Sequence, residues 1–176
     1  MTLAILIAIS LMWVPLGIFL LGKGEAKTTG AICGMVGTVV IIGAILQVAV
    51  FKDGFAAGLL FAHGLLYAIT CYALVTGVED LRTVGNVSLT AGIVTLIYAI
   101  LWFTGGPEIE AGKRLVEKSN YFGFAALGYF ALTLEVWRFG YGKFSGGVLG
   151  WSLIIWAFVG LYVPAFWLLV SGKLPF

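Results

Sequence analysis

Apolar runs of about twenty residues recur along the chain, each closed by a short polar stretch, from "LAILIAISLMWVPLGIFLL" near the start to "VLGWSLIIWAFVGLYVPAFWLLV" near the end. A bilayer core about 30 Å thick is crossed by roughly 20 apolar residues in a helix. The pattern therefore predicts helices near 3–21, 28–51, 55–76, 84–103, 119–139 and 148–170. That is an all-α membrane protein, a single six-transmembrane-helix bundle over residues 1–176. The first run has no basic stretch before it and outlasts a signal-peptide core, so it reads as a retained span.

Charge follows the same punctuation, because an ionised side chain in hydrocarbon costs several kcal/mol while one at a helix end reaches the interface. Lys23, Glu25 and Lys27 fall in the first break, Lys52 and Asp53 in the second, and Glu79, Asp80 and Arg82 in the third. The fourth break is the long one, with Glu108, Glu110, Lys113, Arg114, Glu117 and Lys118; Lys143 marks the fifth and Lys173 the tail. Sorting Lys and Arg by side places Lys23, Lys27, Arg82, Arg138 and Lys143 against Lys52, Lys113, Arg114, Lys118 and Lys173. The positive-inside rule is tied and does not orient the chain.

Composition removes other classes. At 61% hydrophobic and 10% charged residues, with a mean hydropathy of +1.10, a soluble fold would expose large apolar patches. A net charge of +2 gives nucleic acid little to bind. Cys33 and Cys71 sit inside predicted spans with no CxxC or Cys/His cluster and read as small packing residues. No set of convergent polar residues suggests an enzyme, a metal site or a cofactor, and a single histidine excludes a paired-histidine haem site.

Within the spans, 25 glycines include small-xxx-small pairs such as Gly30/Gly34 and Cys33/Gly37, which let membrane helices approach closely. Pro15 in "WVPLG" and Pro164 in "YVPAF" each remove an intrahelical hydrogen bond, so both spans should bend. Leu6, Ile9 and Trp13 share one face of the first helix, and Phe122, Ala125, Tyr129 and Leu132 one face of the fifth. Each face reads either as an ordinary packing seam or as the wall of a narrow passage. Glu135 is an intramembrane carboxylate and hence a functional candidate, yet Arg138 three residues on is placed to pair with it along the helix.

Four stretches in order, "GKGEAKTTGAI", "GLLFAHGLLYAI", "LTLEVWRFGYGKF" and "GLYVPAFWLLV", resemble the AmiS/UreI family of bacterial urea channels and short-chain amide transporters. The resemblance implies a homo-hexamer in the inner membrane, one solute path through each six-helix protomer, and both termini on the periplasmic side. It implies a path lined by Leu6, Ile9 and Trp13, by Phe61 and Leu65, and by Phe122, Ala125 and Tyr129. Glu135 matches a glutamate of the family, and Trp156 stands where the urea channel has a carboxylate. The histidine-containing loop of acid-gated members is reduced here to Lys52–Gly54, so gating by that loop is not expected.

The function this implies is passive passage of urea or short-chain amides, serving a cytoplasmic amidase or urease. A proton-coupled transporter using Glu135 and a non-catalytic membrane subunit stay open as alternatives. His63 lies two residues from both Phe61 and Leu65, about 200° around the helix. If those two line the path, His63 points away from it and bonds a neighbouring helix.

Overall fold

The computed structural model describes residues 2–172, with side chains from residue 4 onward; Lys173, assigned to the tail, lies outside them. Helix α1 (Thr2–Ile18) runs into a π-helical turn (Phe19–Lys23) and is followed by α2 (Ala26–Ala49), α3 (Gly54–Thr76) and α4 (Arg82–Thr104). A short antiparallel hairpin of β1 (Glu108–Glu110) and β2 (Lys113–Arg114) precedes α5 (Asn120–Gly140). The last span is α6 (Gly146–Trp156), a second π-helical turn (Ala157–Tyr162) and α7 (Val163–Ser171) in sequence.

Polar residues at the breaks start and stop these helices. The Glu25 carboxylate accepts from the backbone N–H groups of Lys27 and Thr28, at 2.8 and 2.7 Å, and Asp53 accepts from Ala56 N–H at 2.9 Å. Each satisfies donors that the first helical turn leaves free. Gly77 and Gly105 close α3 and α4 in the left-handed conformation, with φ of 70° and 80°, where a Cβ would be strained. Both π-helical turns accompany a proline, Pro15 ahead of the first and Pro164 behind the second. For Pro164 the lost N–H and the ring clash fall on Gly160, inside the second turn, whereas the first turn lies beyond Pro15 and holds Gly22 in the left-handed conformation at φ 77°.

Among the described residues five spans are long and apolar enough to cross a bilayer: Ala4–Lys23, Ala26–Ala49, Gly54–Thr76, Arg82–Thr104 and Gly146–Ser171. The chain is a multi-pass membrane protein. Helix α5 has the length to cross as well, 21 residues at about 1.5 Å each, but carries Glu135 and Arg138 and is the most amphipathic of the long helices. It packs chiefly against α4.

The helices associate in three close pairs, each brought together where glycine faces glycine. A Cβ on Gly37 of α2 would lie 3.2 Å from the Gly64 carbonyl oxygen of α3, and a Cβ on Gly140 of α5 would lie 3.2 Å from the Gly85 Cα of α4. For α1 and α6, a Cβ on Gly17 would approach the Gly150 carbonyl oxygen to 2.6 Å, and one on Gly150 the Gly17 carbonyl oxygen to 2.7 Å. Outward positions such as Met35, Ile42, Ile93, Ile97 and Phe166 are large, apolar and exposed, as a lipid-facing surface requires. Alternation of the six spans puts the start of α1, the α2–α3 connection, the hairpin and the end of α7 on one face, here the terminal face, and the α1–α2, α3–α4 and α5–α6 connections on the opposite face.

The glycine contacts give a direct expectation. Gly150→Val overpacks the α1–α6 crossing and should destabilise the protein by about 1–3 kcal/mol, read as a lowered thermal midpoint in detergent. Gly147→Val, where a Cβ meets nothing closer than the Ser145 hydroxyl at 3.7 Å, should change it far less.

Candidate functional site

A cavity of about 550 Å³ lies between the three helix pairs. Its mouth is on the face opposite the termini, formed by Gly22, Ala26, Gly77, Glu79, Leu81 and Gly146, and its deepest residues are Trp13, Cys33, His63, Tyr129 and Leu153. Along α3 it reaches from Gly77 to His63, a depth of about 20 Å at 1.5 Å per residue. It does not continue to the terminal face. The floor is aromatic: the Trp13 and Tyr129 rings meet edge to face at 5.6 Å, and Tyr129 meets Trp156 at 6.2 Å. The Trp156 ring lies directly on Gly128, where a methyl group would collide with it.

The floor is fixed by a hydrogen bond that the backbone break creates. Pro164 has no N–H to offer the Gly160 carbonyl one turn earlier, and the Tyr129 hydroxyl donates to that carbonyl at 2.6 Å. A buried carbonyl is thus satisfied across helices, and Tyr129 is held in one orientation.

The walls are mostly apolar, from Met12, Leu66, Leu132, Val136 and Leu149 among others. Their polar groups are few and mostly engaged. Thr70 donates to Leu66 O at 2.8 Å and Thr133 to Phe130 O at 2.7 Å, each within its own helix, and the Trp13 indole is within hydrogen-bonding reach of the Tyr67 hydroxyl. His63 is buried, with Nδ1 3.0 Å from the Leu59 carbonyl oxygen. Since a carbonyl can only accept, Nδ1 carries the proton and Nε2 is an acceptor.

Charge is confined to the mouth and beyond. Hydrogen bonds from the Arg82 guanidinium, with Nη2 2.6 Å from Asp80 Oδ2, hold the Asp80 carboxyl down at about 2. The Thr28 and Lys27 backbone N–H groups lower Glu25. Both carboxylates therefore stay ionised at neutral and mildly acidic pH.

Of the residues expected along a path, Trp13 and Tyr129 line the cavity. Leu6, Ile9 and Ala125 lie on the terminal side of the floor, Leu6 half-buried and the other two buried. Phe122 stacks on Trp102 at 5.2 Å, in an aromatic cluster with Phe55 and Tyr98. Phe61 and Leu65 depart from expectation: they are 45% and 47% exposed on the outer side of α3, beside a shallow groove against α4. The inner face is His63, Leu66, Tyr67, Thr70, Ala73 and Leu74, at helical spacings of three and four. His63 therefore points inward, contrary to the expectation built on Phe61 and Leu65. The signal was present, since His63, Tyr67 and Thr70 are a polar stripe on one face.

The Glu135–Arg138 pair does not form among the described residues. Glu135 instead meets Ser152 of α6, its Oε2 is buried without a partner, and Arg138 is exposed. Glu135 is not on the cavity wall, because α5 turns Leu132, Thr133 and Val136 inward instead.

Two solved structures share this fold over the whole chain. The cryo-electron-microscopy structure of the Helicobacter pylori urea channel in its closed state matches with a TM-score of 0.83 and 18% identity, covering 99% of this chain and all of that one. The crystal structure of the urea channel from the same organism matches with a TM-score of 0.81 and 19% identity, again over 99% and 100%. No family model and no curated protein matches the sequence. The helix arrangement is that of those channels.

Tyr129→Phe leaves the Gly160 carbonyl without its donor and should cost about 1 kcal/mol. Faster hydrogen exchange around Ala157–Tyr162 than in wild type is the expected reading.

Proposed function

We propose that the chain is a passive channel for urea or short-chain aliphatic amides. The observation that carries this reading is the apolar cavity, entered from one face and closed by an aromatic floor, in a fold shared with the Helicobacter pylori urea channel. A small neutral amide loses hydrogen bonds on leaving water but pays no ionic desolvation, so walls bearing a few polar groups pass it and reject ions. Flat aromatic faces suit a planar solute. Passage to the terminal face requires the Trp13, Tyr129 and Trp156 rings to move apart.

On this reading the protein assembles as a hexamer in the bacterial inner membrane, with its termini periplasmic, and supplies a cytoplasmic amidase or urease. Gating by a histidine loop is not part of it: Lys52–Gly54 holds no histidine, and Asp80 at the mouth, at about 2, does not titrate near pH 5. The position of Glu135 off the cavity wall favours a channel over a proton-coupled carrier, which would need that carboxylate to meet both solute and water.

Stopped-flow light scattering of proteoliposomes under gradients of urea, acetamide and glycerol tests the proposal. Amide influx well above that of empty liposomes is expected, similar at pH 5 and pH 7.5 and unaltered by Glu135→Gln. Influx no faster than through bare lipid, with the protein inserted and folded, would overturn it. Concentrative uptake lost in Glu135→Gln would establish the carrier instead.

A further inference from the structure

Only two buried side-chain polar atoms among the described residues have no hydrogen-bond partner, Oε2 of Glu135 and Nε2 of His63. The second belongs to the site. His63 sits at the deepest level of α3 in the cavity, with its ring 6.5 Å from that of Tyr129 and 6.2 Å from that of Tyr67. The Leu59 carbonyl fixes the tautomer, so Nε2 presents a lone pair and no proton.

The groups around it do not complete that lone pair. The Tyr129 hydroxyl is committed to Gly160 O, the Tyr67 oxygen accepts from the Trp13 indole while its O–H makes no hydrogen bond to Nε2, and the Thr70 and Thr133 hydroxyls point back to their own helices. A buried acceptor left without a donor is costly, and native structures rarely keep one without a use. Nε2 itself has almost no accessible surface in this arrangement, although the imidazole ring lines the cavity. The same aromatic rings that close the floor stand beside it.

We propose that Nε2 of His63 is the hydrogen-bond acceptor for a solute N–H at the blind end of the cavity. The chemical class recognised is a small neutral molecule with an amide N–H donor. The inference rests on the channel reading and adds its specificity element. A donor arriving from the mouth gives the lone pair its missing partner once a neighbouring ring swings aside, so occupancy and opening of the floor favour one another. A solute with the same carbonyl but no N–H gains nothing at this point.

His63 is the single histidine of the chain, so nitrogen-15-labelled histidine in lipid nanodiscs reports on this imidazole alone. The resonance of the unprotonated Nε2 is expected to move on titration with urea or acetamide and to stay in place with tetramethylurea, which lacks N–H. In proteoliposomes His63→Leu should slow urea by about tenfold, the value of one hydrogen bond to a buried acceptor. His63→Gln, which keeps an acceptor, should remain closer to wild type. A resonance indifferent to urea and acetamide, or one that responds equally to tetramethylurea, overturns the inference, as does wild-type urea influx through folded His63→Leu. Absence of urea influx through the wild-type protein would sink the channel reading alone, and the resonance would still decide whether His63 binds the amide.

Discussion

Close contact at glycine holds the helices in pairs, and the cavity and its floor follow from that pairing. In lipid no hydrophobic force gathers helices that are apolar all round, so association relies on van der Waals contact and backbone approach. Gly37 against Gly64, Gly85 against Gly140 and Gly17 against Gly150 supply that approach in three separate pairs. Tight pairs leave looser space between them, and the cavity occupies that space. A bundle with bulky residues at those six positions would spread its helices evenly and lose the division between seam and cavity.

Within that frame the two prolines have unequal consequences. Pro15 precedes the π-helical turn at Phe19–Lys23 that forms part of the cavity mouth, whereas Pro164 frees the Gly160 carbonyl that then captures Tyr129. A local backbone defect in the last span thus determines the orientation of a side chain on α5, and through it the packing of Trp13 and Trp156 into a floor. Polarity is distributed with the same economy. Glu25 and Asp80 keep their own donors, the Thr70 and Thr133 hydroxyls are tied to their own helices, and one imidazole nitrogen is left over at the bottom. An apolar cavity with a spare acceptor at its blind end treats a neutral amide and an ion very differently.

The architecture was legible because it is written in long apolar runs and in charge at their ends, which hydropathy reads well. The phase of α3 was not. Phe61 and Leu65 on its outer side are as apolar as Leu66 and Leu74 on its inner side, since lipid and helix interior ask for the same chemistry, and hydrophobic periodicity loses its power to choose a face. The weaker polar stripe of His63, Tyr67 and Thr70 carried the information. Glu135 and Arg138 misled for another reason: spacing of three permits an ion pair along a helix, but Ser152 on α6 offers the carboxylate a partner, and tertiary proximity is invisible to a local rule. The hairpin of Glu108–Arg114 lay in a stretch whose charge disclosed a connection and nothing of its shape.

Urea influx through two tryptophan variants decides whether solute travels along the inner face of α3. Thr70→Trp puts a large ring into the cavity, and Phe61→Trp puts one on the outer surface of the same helix. The account predicts that urea influx into proteoliposomes falls to the level of bare lipid for Thr70→Trp and persists for Phe61→Trp, both variants being folded and inserted. Influx that survives Thr70→Trp and disappears with Phe61→Trp would contradict it and move the path to the other side of α3.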